Sequence, residues 1–216
     1  MFKKAKVLLA AVGVSVCAIA ATPANAVSLI NGGFESDVGL SNGQWSVYPA
    51  GIPGWSVLDG AGIEIQNGNI GGTPAYEGNQ KVELDSHGAN SNSHMAQTVS
   101  LTAGSYEFSF AYFGRTADAG TNGIGYSLAP GVLGITNVTG VKAEGWRIIS
   151  HVFSLAADAD VTINFWADGS ENTLGGYLDD VRISAVPLPP AVLLFGASLL
   201  GLGWLGRRRK QAGMAV

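Results

Sequence analysis

The segment Ser105–Phe113 reads SYEFSFAYF, and aromatic residues occupy every second position in it. Because the side chains of a β-strand point alternately to its two faces, this spacing predicts a strand with one buried, aromatic face. The residues on that face are Tyr106, Phe108, Phe110 and Tyr112. The segment Val161–Ala167 has the same period, since its apolar residues alternate with Thr162, Asn164 and Trp166. Both segments therefore predict strands that pack against a hydrophobic core.

On either side of these segments, short β-forming runs alternate with turns rich in glycine and asparagine. No run keeps an apolar period of 3.6 residues, so the pattern favours strands over helices. The predicted strands are Ser28–Phe34, Gln44–Tyr48, Trp55–Leu58, Ile63–Gln66, Lys81–Asp85, Ala96–Leu101, Ser105–Phe113, Gly123–Leu128, Trp146–Leu155, Val161–Ala167 and Tyr177–Ser184. Many short strands with turns between them are typical of a β-sandwich. We predict an all-β domain over residues 27–185, folded as a two-sheet antiparallel jelly roll.

The N-terminus has the composition of an export signal. Lys3, Lys4 and Lys6 precede the apolar run Val7–Ala21, and Ala24-Asn25-Ala26 follows it. This order is typical of a secretory signal peptide, and we predict that residues 1–26 are removed by cleavage after Ala26. Cys17 is the only cysteine of the chain, so the exported protein would contain no disulfide.

The C-terminus has the composition of a membrane segment. Residues 188–206 form an apolar run of 19 residues, which would extend about 28 Å as a helix, close to the thickness of a bilayer core. A basic cluster follows directly; it consists of Arg207, Arg208, Arg209 and Lys210. Since such clusters stay in the cytoplasm, we predict a transmembrane helix followed by a cytoplasmic tail over residues 211–216.

Together with the motif Val186-Pro187-Leu188-Pro189-Pro190, these features over residues 186–210 resemble the PEP-CTERM sorting signal, in its Val-Pro-Leu-Pro variant. The motif departs from the commonest form of that family because it lacks the central Glu. The resemblance implies passage through the inner membrane, recognition by an exosortase-type enzyme, and delivery to the cell surface or an exopolysaccharide matrix.

The charge of the chain is unevenly distributed. All 16 acidic residues lie within residues 27–185, together with five basic residues, which gives this region a formal charge of 5 − 16 = −11. Such a domain repels nucleic acid and attracts divalent cations. We therefore expect no nucleic-acid partner.

Two acidic residues near the ends of the domain are candidate metal ligands. Period two in the last strand places Asp179 on the core face with Val181 and Ile183, where a carboxylate needs a partner, whereas Asp180 would face water. The motifs Asn31-Gly32-Gly33-Phe34-Glu35 and Leu178-Asp179-Asp180-Val181 together resemble the galactose-binding-like jelly rolls found among carbohydrate-binding modules. The resemblance implies a structural Ca²⁺ ion held by Glu35, Asp179 and backbone oxygens. The alternative is a glycine turn and an exposed terminal strand.

A saccharide site needs an aromatic face beside planar hydrogen-bonding groups. Trp166 shares its strand face with polar Thr162 and Asn164, which is unusual for an aromatic residue and makes Trp166 and Asn164 the main candidates. Further candidates at strand ends and in loops are Trp55, Tyr76, Tyr112 and Arg115. The alternative role for each aromatic residue is packing in the core.

Catalytic motifs are absent or stand in the wrong context. Residues 39–43 match G-x-S-x-G, but that motif requires a following helix, whereas the predicted strand Gln44–Tyr48 follows here. His87 and His94 lie in a polar segment and are expected to be surface residues rather than metal ligands. Glu64 and Glu83 are a conceivable carboxylate pair for glycoside hydrolysis, but the sequence does not fix their separation. We predict no catalytic residues.

The sequence therefore predicts an exported, surface- or matrix-associated protein whose jelly roll binds polysaccharide without catalysis. Two alternatives stay open at this point. One is a structural, adhesin-like matrix protein that contacts other proteins, and the other is an exported hydrolase.

Overall fold

The structure is a computed structural model that describes residues 29–36 and 39–186. The predicted signal peptide lies outside the described residues. So do Pro187, Leu188 and Pro189 of the sorting motif, the predicted membrane helix, and the basic cluster that contains Arg207, Arg208 and Arg209. No helix within the described part of the chain is long and apolar enough to cross a membrane.

The described residues fold into two antiparallel β-sheets and two short 3-10 turns, Ile70–Gly72 and Lys142–Glu144. The strands are β1 (Trp45–Tyr48), β2 (Ser56–Asp59), β3 (Ile63–Asn67), β4 (Gln80–Glu83), β5 (His94–Leu101), β6 (Gly104–Phe113), β7 (Ile124–Ala129), β8 (Leu133–Val138), β9 (Arg147–Leu155), β10 (Ala159–Ala167) and β11 (Tyr177–Ala185). One sheet has six strands in the order β1-β3-β4-β11-β6-β9. The other has five, in the order β2-β5-β10-β7-β8. The prediction of an all-β, two-sheet antiparallel architecture is confirmed.

The core lies between the two sheets and is mainly aromatic. Phe108 and Phe110 of β6 are fully buried, and their rings lie 6.0 and 5.0 Å from that of Phe165 on β10. Burial of each such side chain contributes roughly 1.5–3 kcal/mol relative to exposure. The alternation predicted for both strands is confirmed, because Val161 and Ile163 are also fully buried beside Phe165.

The predicted first strand, Ser28–Phe34, is wrong over its described residues, 29–34. Residues 30–33 form a turn, and Asn31 and Phe34 adopt positive φ angles of 53° and 59°. Asparagine tolerates this backbone region better than most residues. The turn buries Phe34 completely, with its ring 5.7 Å from that of Trp55. The apolar residues of this segment therefore enter the core from a turn rather than from a strand.

Strand β8 is absent from the sequence-based prediction. It is an edge strand paired only with β7 among the described strands, and its Ile135 is 82% exposed. Because neither of its faces is consistently buried, no alternation of apolar and polar residues marks it in the sequence.

Candidate functional site

The outer face of the six-stranded sheet carries buried polar side chains where a solvated surface would be expected. Across β3, β4 and β11 these residues stand in register on one face, opposite to core residues such as Ile65 and Val82. None is more than 4% exposed. They are Glu64, Gln66, Lys81, Glu83, Tyr177 and Asp179. A cluster of this kind needs a cover and internal partners.

The cover is the segment that joins β3 to β4, residues 68–79, which we call the roof. Lys81 Nζ donates to the carbonyl oxygens of Gly68 and Thr73 at 3.2 and 2.9 Å. From outside, Lys142 Nζ donates to the Gly71 carbonyl oxygen at 2.7 Å. Burial lowers the pKa of Lys81 to about 8. The roof is therefore fixed to the sheet by a lysine beneath it and a second lysine beside it.

The roof also approaches the sheet closely at a glycine. Gly71 has a φ of +65°, and a Cβ atom at this position would lie 2.5 Å from the Tyr177 hydroxyl and 3.4 Å from Arg115 Nε. Since the conformation and the space both exclude a side chain, glycine is required here. The contact joins the roof to Tyr177 and Arg115 without a gap.

Glu35, one of the two predicted metal ligands, binds the C-terminal end of the roof. Its Oε1 atom accepts the backbone N–H groups of Asn79 and Gln80 at 2.8 and 2.6 Å. Gly78 lies against the same carboxylate, where a Cβ atom would be 2.5 Å from its carboxyl carbon. In this structure Glu35 therefore acts as an anchor for the roof.

Asp179, the other predicted ligand, lies on the outer face of β11 and not on the core face that period two predicted, and it binds the roof from below. It is fully buried, and its Oδ2 atom accepts the backbone N–H groups of Tyr76 and Glu77 at 2.8 and 3.1 Å. Burial raises the pKa of Asp179 to about 7, although these hydrogen bonds oppose the shift. Glu35 and Asp179 thus hold the same segment, which brings the two sequence motifs into one structural unit.

The donor set around these two carboxylates meets the needs of calcium only in part. Carboxylate oxygens suit Ca²⁺, which takes six to eight oxygen ligands. Within residues 29–36 and 39–186, no three His, Cys, Asp or Glu side chains are grouped to hold a metal ion. The calcium site remains a prediction.

The position of Asp180 differs from the sequence-based prediction. It was expected to face water, but it is only 7% exposed and has a φ of +48°. The register of β11 on β6 shifts between Asp179 and Arg182, and this bulge interrupts the two-residue alternation. Arg182 Nε donates to Asp180 Oδ1 at 2.5 Å, which pairs the carboxylate.

An open cleft of about 140 Å³ lies on this outer face, at the edge of the roof near Ile70. Glu64 and Gln66 of β3 form part of its lining, with Ile70 of the roof and Arg115. Trp45 on edge strand β1 is 44% exposed and also lines the cleft. The cleft therefore places an accessible indole beside a carboxylate, a carboxamide and a guanidinium group.

The polar groups of the cleft are held by a shared network. Gln66 Nε2 donates to Glu64 Oε1 at 2.8 Å and to Glu83 Oε2 at 2.6 Å. Arg115 Nη1 donates to both carboxylate oxygens of Glu83 and to the Thr173 carbonyl oxygen. Burial raises the pKa of the Glu83 carboxyl, and Arg115 opposes this shift. The Gln66 Oε1 atom is buried without a hydrogen-bond partner among the described residues.

Two of the predicted saccharide ligands lie together on the opposite sheet. Trp166 and Asn164 are half-buried on the outer face of β10, as the alternation predicted. The Trp166 ring covers Gly125 of β7 and meets the ring of His94 edge to face at 5.7 Å. Asn164 Oδ1 lies 3.2 Å from His94 Nε2. Arg115 is separate from this group, because it lines the cleft on the six-stranded sheet.

The other predicted aromatic ligands have different positions. Tyr76 lies in the roof, 46% exposed, with its ring edge to face against that of Trp146 at 5.8 Å. Trp55 is wrong as a candidate, because it is 2% exposed and packs in the core. Tyr112 is likewise fully buried, with its hydroxyl donated to the Asn122 carbonyl oxygen. Neither ring presents a face to a ligand.

Trp45, Glu64 and Gln66 were missed as saccharide-binding candidates in the sequence. A signal for two of them was present, since Glu64 and Gln66 alternate with apolar residues in Ile63–Asn67. Lys81 and Glu83 alternate in the same way in the next strand. Four polar residues on one face of adjacent strands indicate the outer face of a sheet, but the alternation does not show that this face is covered.

The comparisons with known proteins concern the fold. No family model and no curated protein matches the chain. A cyclase from Fischerella sp. TAU has 17% sequence identity and a TM-score of 0.54, with 77% of this chain and 99% of that chain covered. The Stig cyclase Fisc from the same organism, in complex with a pyrrolidinylidene indole, has 17% identity, a TM-score of 0.53, and coverage of 77% and 100%. The chain shares their fold.

Carbohydrate-binding modules are also among the similar structures. TmCBM61, in complex with β-1,4-galactotriose, has 17% identity and a TM-score of 0.44, with 72% of this chain and 96% of that chain covered. These likenesses describe the arrangement of strands. The function has to be argued from the side chains of the site.

Proposed function

We propose that this protein is an exported saccharide-binding protein of the cell surface or the exopolysaccharide matrix, and that it binds glycan without catalysis. The observation that carries the proposal is the cleft beside the roof. There the half-exposed indole of Trp45 adjoins Glu64, Gln66 and Arg115.

The chemistry of this lining suits a sugar. A sugar ring has patches of C–H groups that pack on an aromatic face, and hydroxyl groups that need planar donors and acceptors beside that face. Hydrogen bonds to charged groups contribute roughly 1.5–3 kcal/mol each. Arg115 and Glu64 provide such groups on the lining of the cleft. Because the network holds these groups in place, little side-chain entropy is lost on binding.

The cellular location of the protein is proposed from its terminal sequences. The order of cations, apolar run and small residues at the N-terminus supports export. The Val186–Pro190 motif, the apolar run and the basic cluster support processing by an exosortase-type enzyme after insertion in the inner membrane. Cell fractionation, with detection of the protein by an antibody to the β-domain, tests this location. Uncleaved protein confined to the cytosol would contradict it.

Calcium belongs to the proposal as a structural ion at Glu35 and Asp179. A bound Ca²⁺ ion would be held by carboxylate oxygens of Glu35 and Asp179 and would offset the negative charge of these two anchors of the roof. The binding of sugar in the cleft does not depend on this ion.

A glycan array and pull-down on insoluble polysaccharides test the proposed activity. The full-length chain is used in a zwitterionic detergent, which has no sugar headgroup. We expect retention by at least one glycan, and a loss of retention of at least tenfold in Trp45→Ala. Trp166→Ala is the matched control, because it removes a half-buried indole from the opposite sheet.

Three results would overturn parts of this proposal. Retention lost in Trp166→Ala but kept in Trp45→Ala would move the site to the five-stranded sheet. No retention on any glycan, combined with capture of a matrix protein, would favour the adhesin-like alternative. Release of new reducing ends from a bound glycan would show hydrolysis, for which Glu64 and Glu83 would be the first residues to replace.

A further inference from the structure

The cleft is small for a polysaccharide site. Its volume is about 140 Å³, whereas pockets for drug-sized ligands have volumes of roughly 300–1,000 Å³. The available space therefore suits about one sugar ring. A groove that binds the interior of a chain needs room for several rings in a row.

The roof closes the cleft toward the middle of the sheet. Beyond Arg115 the outer face continues over Lys81, Tyr177 and Asp179, but these three residues are completely buried beneath the roof. Gly71 meets both Tyr177 and Arg115 without space for a side chain. A glycan that extended across this face would have to displace the roof from its anchors.

A second side of the cleft is closed by His87. Its ring lies 5.1 Å from that of Trp45, and its backbone N–H donates to Glu64 Oε2 at 2.8 Å. Leu174 adds a further wall from the segment before β11. The lining thus bounds a space for about one ring and leaves the exposed indole of Trp45 at the mouth.

The charges of the cleft oppose anionic ligands. Among the described residues that line it, Arg115 is the only one with a permanent positive charge, and that charge is paired with Glu83. Glu64 adds a carboxylate to the lining, and the domain around the cleft has a formal charge of −11 over residues 27–185. A uronate or a sulfated sugar would meet repulsion both at a distance and at contact.

We propose that the cleft binds the terminal residue of an uncharged glycan and does not accept the interior of a chain. This inference rests on the proposed function, since it specifies the ligand of the same cleft. The bound sugar would stack on Trp45, reach Arg115 with its hydroxyl groups, and leave the rest of the glycan in solvent.

The test is a titration of the full-length protein in zwitterionic detergent with oligosaccharides of one to six residues, taken from the glycan that the array identifies. We expect the Kd to change less than about threefold from the disaccharide to the hexasaccharide. A cyclic oligosaccharide with the same linkage, which has no chain end, should not bind. The analogue with a terminal uronate should bind at least tenfold more weakly. Trp45→Ala and His87→Ala should weaken binding of every linear member.

The outcomes separate this inference from the proposed function. A Kd that falls more than tenfold with chain length, or binding of the cyclic ligand, overturns chain-end recognition and leaves saccharide binding intact. Equal affinity for the uronate overturns the restriction to uncharged sugars. If binding is independent of chain length and is unchanged in Trp45→Ala and His87→Ala, the chain end binds to another surface. That result overturns the assignment to this cleft. No binding of any saccharide overturns both proposals.

Discussion

Replacement of Arg115 by methionine should destabilise the β-domain through the carboxylate that it leaves behind. Arg115 Nη1 contacts both oxygens of Glu83, which is completely buried. In the variant, Gln66 Nε2 would be the remaining side-chain donor at 2.6 Å. Removal of one partner of a buried ion pair costs roughly 3–5 kcal/mol. Because the Arg115 side chain is 18% exposed, we expect the lower part of that range.

The loss should depend on pH in a defined direction. Burial raises the pKa of Glu83 above its ordinary value of 4.5, so the folded chain keeps this proton to higher pH than the unfolded chain does. Removal of the nearby cation raises that pKa further. A carboxyl whose pKa is raised by folding loses stability as the pH rises. The cost of Arg115→Met should therefore be largest above the pKa of Glu83 in the folded variant, and smaller below about 9, where Glu83 is protonated in both folded forms.

Urea denaturation followed by tryptophan fluorescence at pH 7 and pH 10, on either side of the value of about 9 to which burial raises the pKa of Glu83, measures this difference. At pH 10 a loss of about 3–4 kcal/mol corresponds to a fall in Tm of roughly 6–16 °C, given about 2–4 °C per kcal/mol for a domain of this size. The double variant with Glu83→Gln should recover most of the loss, since position 83 then carries no carboxylate. A cost that is the same at both pH values, or the same with and without Glu83, would refute the reasoning.

Three further predictions concern the metal, the roof and the core. If calcium binds at Glu35 and Asp179, the Tm should be higher with calcium than with EDTA, by the equivalent of about 2.7 kcal/mol at a hundredfold excess over Kd; an unchanged Tm excludes a stabilising ion. Gly71→Ala should cost about 1–3 kcal/mol in urea denaturation because its Cβ atom would collide with the Tyr177 hydroxyl, and equal stability would contradict the close contact. Phe165→Ala should cost about 3–5 kcal/mol by the same measurement, and a cost below 1 kcal/mol would mean that the ring is not central to the core.

The strands that have one buried face were predictable from the sequence. In Ser105–Phe113 and Val161–Ala167 the apolar residues recur at every second position, and the structure buries those residues between the sheets. The pattern gave a wrong or missing strand where a buried residue lies outside a strand or where an apolar strand residue is exposed. Phe34 reaches the core from a turn with positive φ, and Ile135 lies exposed on an edge strand. Both cases depend on the position of the segment in the fold, and the periodicity of a short segment gives no information on that position.

The candidate site was harder to predict for the same reason. Period two assigns polar residues to the outer face of a sheet, and an outer face is normally solvated. On β3 and β4, Glu64 and Glu83 do lie on the outer face, but the roof buries that face. Only the folded chain shows that residues 68–79 cover the sheet and that Ile70 of this segment lines the cleft with Trp45.

The polar cluster beneath the roof contributes orientation more than stability. Replacement of a buried ion pair by apolar residues of similar volume is often neutral or stabilising, so Lys81, Glu83 and Arg115 are not the simplest way to hold a roof in place. Their contribution is to fix the orientation of neighbouring groups. Glu83 holds Arg115 and Gln66 in the lining of the cleft, and Lys81 holds the roof that borders the cleft. A site that must hold donors and acceptors in place for a weakly apolar ligand such as a sugar benefits from such fixed groups, because their ordering is complete before the ligand arrives.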